Sequence, residues 1–306
     1  MRYRTEAVKR GLREIKPQRS RLSSNRVRFR VLAVFALCAA LVAVPAAGGS
    51  GGALVQFSFK SHALNRTLRI AVYLPADYTT SGLSYPVVYF LHGLPAGPNA
   101  YKDVSWLRSA LDSLSPGVIL VAPQGSTKPD SDPEYLDWGP GANWETAVAK
   151  ELPAYIDSHL RTIRARTGRA LVGLSAGGYG AVILALHHLN DFAAVESWSG
   201  YFRPTNAAGT AELDLGSDAR NARASAHALV LQLRADEQKR PTFFAFYVGF
   251  GDTRFRADNE QLDRELNASG VPHLFVLYPG SHERTIWVTH AAAWLQLAAS
   301  HLATAR

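Results

Sequence analysis

The sequence predicts an α/β fold in which a mostly parallel central sheet carries helices on both faces. Short apolar runs alternate along the chain with segments of helical periodicity, which is typical of parallel sheets. Most of the runs are continuously apolar, as expected for strands covered on both faces. The chain has 306 residues, of which 47% are hydrophobic. This composition supports a large core and excludes a disordered, collagenous or coiled-coil protein.

Residues 1–52 are predicted to precede the folded domain, which is assigned to residues 53–306. Residues 1–30 hold 11 of the 33 Lys and Arg residues and 2 of the 25 Asp and Glu residues. The rest of the chain therefore carries 22 basic and 23 acidic residues and is nearly neutral. Because the net charge of +8 belongs to the first segment, it does not indicate a nucleic-acid partner for the domain.

The basic segment is followed by an apolar run and then by small residues, an order typical of an export signal. Val31–Val44 contains no charged residue, and residues 48–52 are Gly and Ser. Three interpretations stay open: a cleaved signal peptide, an uncleaved membrane anchor at residues 31–47, and a buried hairpin. The first two place the domain outside the cytoplasm, because positive residues stay inside. We therefore expect a secreted or cell-envelope protein.

The chain has one cysteine, Cys38, which lies within the apolar run. If the signal is removed, the mature chain has no cysteine. Disulfides, thiolate metal sites and a cysteine nucleophile are then excluded together.

The strands and helices of the domain follow from hydrophobic periodicity. The predicted strands are Leu54–Phe59, Thr67–Leu74, Val87–Leu91, Val118–Val121, Ala170–Leu174, Ala194–Trp198, Phe243–Val248 and Leu274–Tyr278. The first two alternate with a period of two residues, which suggests a hairpin. The predicted helices are Trp144–Leu160, Gly178–Leu189, Asn259–Leu266 and Ile286–Leu302.

Two long connections, Gly125–Asn143 and Arg203–Arg240, are expected to shape a pocket. Within the second, Ala222–Leu233 is apolar enough for a helix, which would lie either over a cleft or on the surface.

The strongest local signal is Gly173-Leu174-Ser175-Ala176-Gly177, which falls between a predicted strand and a predicted helix. A sharp strand-to-helix turn exposes the serine and requires very small residues two positions before and after it. The amino-terminal N–H groups of the following helix favour developing negative charge. Ser175 is therefore the predicted nucleophile.

A serine hydroxyl needs a base, and in this arrangement an acid and then a histidine follow in later strand-end loops. Asp252 comes after Phe243–Val248, and His282 comes after Leu274–Tyr278. We assign Asp252 as the acid and His282 as the base. The alternative acid is Asp258, although its position before Gln261 indicates a helix cap.

The developing oxyanion needs two donors. We assign them to the backbone N–H groups of Ala176, directly after the nucleophile, and of Leu94, in the loop after Val87–Leu91. His92 in the same loop is interpreted as a structural residue that shapes it. No metal site is predicted, no cofactor is implied, and no nucleic-acid module is present in the pattern.

Several motifs together resemble one known family. They are Trp144-Glu145-Thr146, Glu151-Leu152-Pro153, Gly173-Leu174-Ser175-Ala176-Gly177-Gly178, Gly280-Ser281-His282 and Trp287. This set resembles the "Putative esterase" family of α/β-hydrolases, which includes esterase D, feruloyl esterases and the antigen 85 mycolyltransferases. The resemblance extends from about Leu54 to Leu297.

The resemblance implies an α/β-hydrolase fold, the triad Ser175, Asp252 and His282, and oxyanion donors at Leu94 and Ala176. The match to antigen 85 is closest around Trp144–Pro153. It departs at His92-Gly93, where those enzymes have Asp-Gly, and at Ala176, where they have Met. The first departure argues against trehalose mycolyl transfer.

The expected function is hydrolysis of a small-molecule, glycan or lipid carboxylic ester through an acyl-enzyme. Two alternatives stay open. One is an acyltransferase of the antigen 85 type, which moves the acyl group to a sugar or other alcohol. The other is a non-catalytic binding relative.

Overall fold

The computed structural model describes residues 51–95, 97–128, 133–206 and 210–306. The basic segment, the predicted anchor at residues 31–47 and Cys38 lie outside the described residues. In the part of the chain that is described, no helix combines the length and the apolar character needed to cross a membrane.

The centre of the domain is an eight-stranded sheet. Its strands are Ala53–Ser61 (β1), Arg66–Leu74 (β2), Val87–Leu91 (β3), Ile119–Pro123 (β4), Arg169–Leu174 (β5), Ala194–Trp198 (β6), Phe243–Gly249 (β7) and Leu274–Tyr278 (β8). The spatial order is β1-β2-β4-β3-β5-β6-β7-β8. Strand β2 runs antiparallel to β1 and β4, and the other neighbours are parallel. Each strand overlaps a predicted one, and the predicted hairpin is the β1–β2 pair.

The helices are Tyr78–Ser81 (α1), Arg108–Asp112 (α2), Trp144–Thr146 (α3), Leu152–His159 (α4), Ala176–His187 (α5), Asp218–Arg223 (α6), Ala226–Val230 (α7), Arg234–Lys239 (α8), Arg256–Ser269 (α9) and Arg284–Ser300 (α10). A π-helical turn, Ala147–Glu151, joins α3 to α4. Pro153 follows this turn and cannot donate a backbone hydrogen bond. Short 3₁₀ turns occupy Ala100–Lys102, Ser105–Leu107 and Arg166–Gly168.

Apolar side chains fill both faces of the sheet. In β3, Tyr89 packs in one layer with Ile183 of α5, whereas Phe90 packs in the other with Leu295 of α10. Successive residues of a strand point to opposite faces, so a fully apolar strand serves two layers. The predicted sheet with helices on both faces is therefore confirmed.

The prediction of one helix over Ala222–Leu233 is wrong. The connection instead contains α6, α7 and α8, because Ser225 interrupts the helical path. The Ser225 side chain accepts a hydrogen bond from the N–H of Ala228 and caps the start of α7. A side-chain cap within an apolar segment leaves the spacing of the apolar residues unchanged. Hydrophobic periodicity therefore does not reveal the break between the helices.

Candidate active site

Ser175 lies at the turn between β5 and α5, in a backbone conformation that is unusual for a residue with a side chain. Its φ is 56° and its ψ is −119°. A Cβ on Gly173 would lie 1.8 Å from the carbonyl oxygen of Gly177. A Cβ on Gly177 would lie 1.9 Å from the carbonyl oxygen of Leu91. The turn therefore excludes any larger residue at either position.

The structure brings Ser175, His282 and Asp252 into one hydrogen-bonded chain. His282 Nε2 lies 3.1 Å from Ser175 Oγ, and His282 Nδ1 lies 2.9 Å from Asp252 Oδ2. An ionised carboxylate only accepts hydrogen bonds, so Nδ1 donates and Nε2 is left to accept from the serine hydroxyl. Because β5, β7 and β8 are parallel, the three loops meet at the same edge of the sheet.

The environment of Asp252 keeps its carboxylate charged. The residue is buried, and burial alone would raise its pKa. The hydrogen bond and charge of His282, together with N–H donation from Phe255 at 3.2 Å and Arg254 at 3.1 Å, outweigh burial. The pKa of Asp252 is therefore below its ordinary value. An ionised acid at this position can orient the histidine and stabilise its cation.

Two aromatic rings contact the imidazole of His282 edge-on. The ring of Phe255 lies 5.2 Å from it and the ring of Trp287 lies 5.1 Å from it, between centroids. The Trp287 indole N–H donates to Ser199 Oγ at 2.9 Å. Phe255 and Ser199 could not be recognised from the sequence, because neither belongs to a motif and both reach the site only through tertiary packing.

The alternative acid, Asp258, does not pair with His282. It accepts hydrogen bonds from the N–H of Phe202 at 2.6 Å and from His227 Nε2 at 2.9 Å. The predicted helix cap at Asp258 is wrong, because α9 already begins at Arg256. Asp258 instead anchors the long connection after β6 to α9.

The loop after β3 passes directly beside the nucleophile. A Cβ on Gly93 would lie 2.9 Å from Ser175 Cβ. Among the described residues, no acceptor takes a hydrogen bond from the N–H of Leu94 or Ala176. Ala176 is the first residue of α5, where N–H groups have no partner within the helix. Both groups therefore stay candidates for binding an oxyanion.

His92 holds this loop in shape. The side chain is buried, and its Nδ1 lies 2.9 Å from the carbonyl oxygen of Gly93. Because a carbonyl only accepts, Nδ1 must donate. This carbonyl and the N–H of Leu94 belong to the same peptide unit, so the hydrogen bond also orients that N–H. Burial lowers the pKa of His92 and favours its neutral form.

Ser175 and His282 open into a cleft of about 1010 Å³. Five aromatic residues are part of its lining: Phe90, Trp106, Tyr201, Phe255 and Trp287. Of the described residues in the two long connections, Thr205 and Asn206 line the cleft. Tyr135, from the other connection, instead donates to the carbonyl of His92 at 3.0 Å. That connection thus acts on the site through the loop after β3.

Across the described ranges, no group of three or more His, Cys, Asp or Glu side chains is placed to hold a metal ion.

Several known proteins are similar to this chain in sequence. The model of the family described as "Putative esterase" matches residues 61–295. Esterase Rv1288 of Mycobacterium tuberculosis (strain ATCC 25618 / H37Rv) is 29% identical over 256 residues, or 75% of this chain and 55% of that protein. The diacylglycerol acyltransferase/mycolyltransferase Ag85A of Mycobacterium leprae (strain TN) is 31% identical over 152 residues, or 46% of this chain and 44% of that protein. The chain spans about half the length of these curated relatives.

A solved structure of a ferulic acid esterase superposes with a TM-score of 0.67 at 22% identity, covering 82% of this chain and 99% of that one. This likeness shows the fold, and the predicted α/β-hydrolase architecture is confirmed. Because the family model extends over well more than half of the chain, the chain belongs to the "Putative esterase" family.

Proposed function

We propose that this chain is an exported serine esterase that hydrolyses carboxylic esters through an acyl-enzyme on Ser175. The observation that carries the proposal is the hydrogen-bonded chain from Ser175 Oγ through His282 to Asp252, which opens into a cleft. Membership in an esterase family supports the same reaction class.

In the first step, His282 Nε2 takes the proton of the Ser175 hydroxyl while Oγ attacks the ester carbonyl carbon. Asp252 stabilises the resulting imidazolium. The N–H groups of Leu94 and Ala176 bind the oxyanion of the tetrahedral intermediate. When the intermediate collapses, the carbon–oxygen bond to the alcohol breaks, and His282 gives its proton to the departing oxygen.

In the second step, water enters beside His282 and loses a proton to Nε2 as it attacks the acyl-enzyme. Collapse of the second intermediate returns the proton to Ser175 Oγ and releases the carboxylic acid. An alcohol in place of water would give a new ester, so the same residues also support acyl transfer. The 31% identity to a protein named as an acyltransferase/mycolyltransferase makes transfer the second candidate function.

We also propose that residues 1–52 direct export and that residues 53–306 form the catalytic domain. The basic, apolar and small-residue order of the first segment supports this division. Amino-terminal sequencing of protein recovered outside the cytoplasm tests it. A mature chain that starts within about residues 45–53 would indicate cleavage, whereas Met1 on membrane-bound protein would indicate an anchor. Full-length protein in the cytoplasm would contradict both.

Purified protein should be incubated with para-nitrophenyl esters of graded acyl length and, separately, with a fluorophosphonate probe. Hydrolysis that disappears in Ser175→Ala, together with probe attached to Ser175 by mass spectrometry, would support the proposal. Turnover that rises with an added sugar or alcohol, with formation of the new ester, would favour transfer. A folded protein that hydrolyses no ester would favour the non-catalytic binding relative.

A further inference from the structure

Two arginines, Arg254 and Arg284, line the cleft beside the reacting groups. We propose that they bind an anionic group on the alcohol portion of the ester substrate. The inference rests on the proposed esterase function and names the class of substrate that this cleft takes.

Both arginines belong to the loops that carry the acid and the histidine. Arg254 follows Asp252 by two residues, and its guanidinium carbon lies 4.9 Å from the centroid of the Phe255 ring, which itself contacts His282. Arg284 follows His282 by two residues, at the first position of α10. Its guanidinium carbon lies 5.7 Å from the centroid of the Trp106 ring.

Neither guanidinium forms an ion pair within the part of the chain that the structure describes. No carboxylate oxygen of a described residue lies within 4.0 Å of either one. The described cleft lining contains one carboxylate, on Asp103, so the two cations outnumber it. Asp252 is buried and is occupied by His282 and backbone N–H groups.

A neighbouring arginine shows the contrast. Arg256 also follows Asp252, but its Nε lies 2.7 Å from Glu260 Oε1, and its guanidinium stacks on Phe250 outside the cleft. Arg254 and Arg284 keep their forks of donors available, and a guanidinium matches carboxylate, phosphate or sulfate oxygens in a bidentate geometry.

The position of these cations assigns them to the alcohol side of the substrate. In the proposed reaction His282 gives its proton to the leaving oxygen, so the departing alcohol lies next to the imidazole. Arg254 and Arg284 belong to the loops that carry Asp252 and His282, and Arg254 packs on Phe255, whose ring contacts the imidazole. The two arginines would therefore hold the anionic group of the alcohol while Ser175 attacks the ester carbonyl.

The test compares esters that share an acetyl group and differ in the charge of the alcohol. Para-acetoxybenzoate carries a carboxylate, para-acetoxyphenyl phosphate carries a phosphate, and methyl para-acetoxybenzoate is neutral. A second pair, mono-para-nitrophenyl adipate and para-nitrophenyl hexanoate, places the charge on the acyl side instead. For each protein variant, the measured quantity is the ratio of kcat/KM for the anionic ester to that for its neutral partner.

In Arg254→Gln and Arg284→Gln the alcohol-side ratio should fall by about 3-fold to 10-fold each, since partly exposed charge-assisted contacts are of this strength. Arg256→Gln is the matched control and should keep the wild-type ratio. The ratio of kcat/KM is measured separately for the carboxylate ester and the phosphate ester. The ester whose ratio falls more identifies the anionic group that the arginines prefer.

Unchanged ratios in both cleft variants, with the neutral ester still hydrolysed, would overturn the inference and leave the esterase function standing. A loss confined to the acyl-side pair, or an equal loss in Arg256→Gln, would also overturn it. If folded wild-type protein hydrolyses none of the esters, the proposed function itself fails.

Discussion

Glu196 is a carboxyl group inside the sheet, and its replacement by glutamine should stabilise the protein in neutral and mildly alkaline solution. The residue is fully buried in β6. The Trp198 indole N–H donates to Oε2 at 2.9 Å, and the Tyr247 hydroxyl donates to Oε1 at 3.2 Å. Burial, which these hydrogen bonds offset only in part, raises the pKa of Glu196 to about 8.

The direction of the effect follows from proton binding. Because the pKa in the folded state exceeds the ordinary 4.5, the folded protein keeps a proton that the unfolded chain releases. The contribution of this proton to stability is complete below about pH 4.5 and is lost as the pH rises through about 8. At about 1.4 kcal/mol per pH unit, the rise in pKa corresponds to about 5 kcal/mol in total.

Glutamine resembles the protonated acid in shape and can still accept from Trp198, but it does not titrate. The free energy of unfolding of Glu196→Gln, minus that of wild type, should therefore increase by about 3 kcal/mol between about pH 5 and about pH 8. Urea titrations followed by tryptophan fluorescence at several pH values measure this difference. Glu212→Gln, whose side chain is 65% exposed, is the control and should give a nearly constant difference. Parallel pH profiles for wild type and Glu196→Gln would refute the reasoning.

Three further predictions concern turnover of para-nitrophenyl esters. Ser175→Ala should lower kcat by about 10⁴-fold or more with an unchanged circular dichroism spectrum, and wild-type turnover in this variant would exclude Ser175 as the nucleophile. Asp252→Asn should lower kcat by about 10⁴-fold because it favours the wrong histidine tautomer. Asp258→Asn should not, and the reverse result would exchange the two assignments. His92→Phe removes the donor to the Gly93 carbonyl and should lower kcat by about 10-fold to 100-fold with little change in KM. His92→Asn, which keeps a donor, should recover most of that loss, and equal activity of the two variants would contradict an orienting role.

The sheet could be predicted well from sequence because most of its strands are buried on both faces. The run Val87–Leu91 is entirely apolar, and its observed strand has the same bounds. Short elements such as α1 and α2 have too few residues to display a helical period. The breaks between α6, α7 and α8 depend on local hydrogen bonds such as the Ser225 cap, which hydrophobic periodicity does not record.

The site could be predicted where it depends on the order of strands and loops. Ser175, Asp252 and His282 each follow an apolar strand, and parallel strands bring their ends to one edge. The rings around His282 and the anchoring role of Asp258 depend on which surfaces pack together, which spacing along the chain does not reveal. The burial of Glu196 could have been noticed in the sequence, since it is the single charged residue in the predicted strand Ala194–Trp198.

The anchoring of the connection after β6 has a consequence for protein engineering. Thr205 and Asn206 reach the cleft from this connection, which Asp258 ties to α9 through Phe202 and His227. The reacting groups instead belong to loops at strand ends. A mutant library can therefore be restricted to the residues around Thr205, with Asp258 left unchanged. Its variants should differ in which esters they hydrolyse, while all of them keep Ser175, His282 and Asp252 in place.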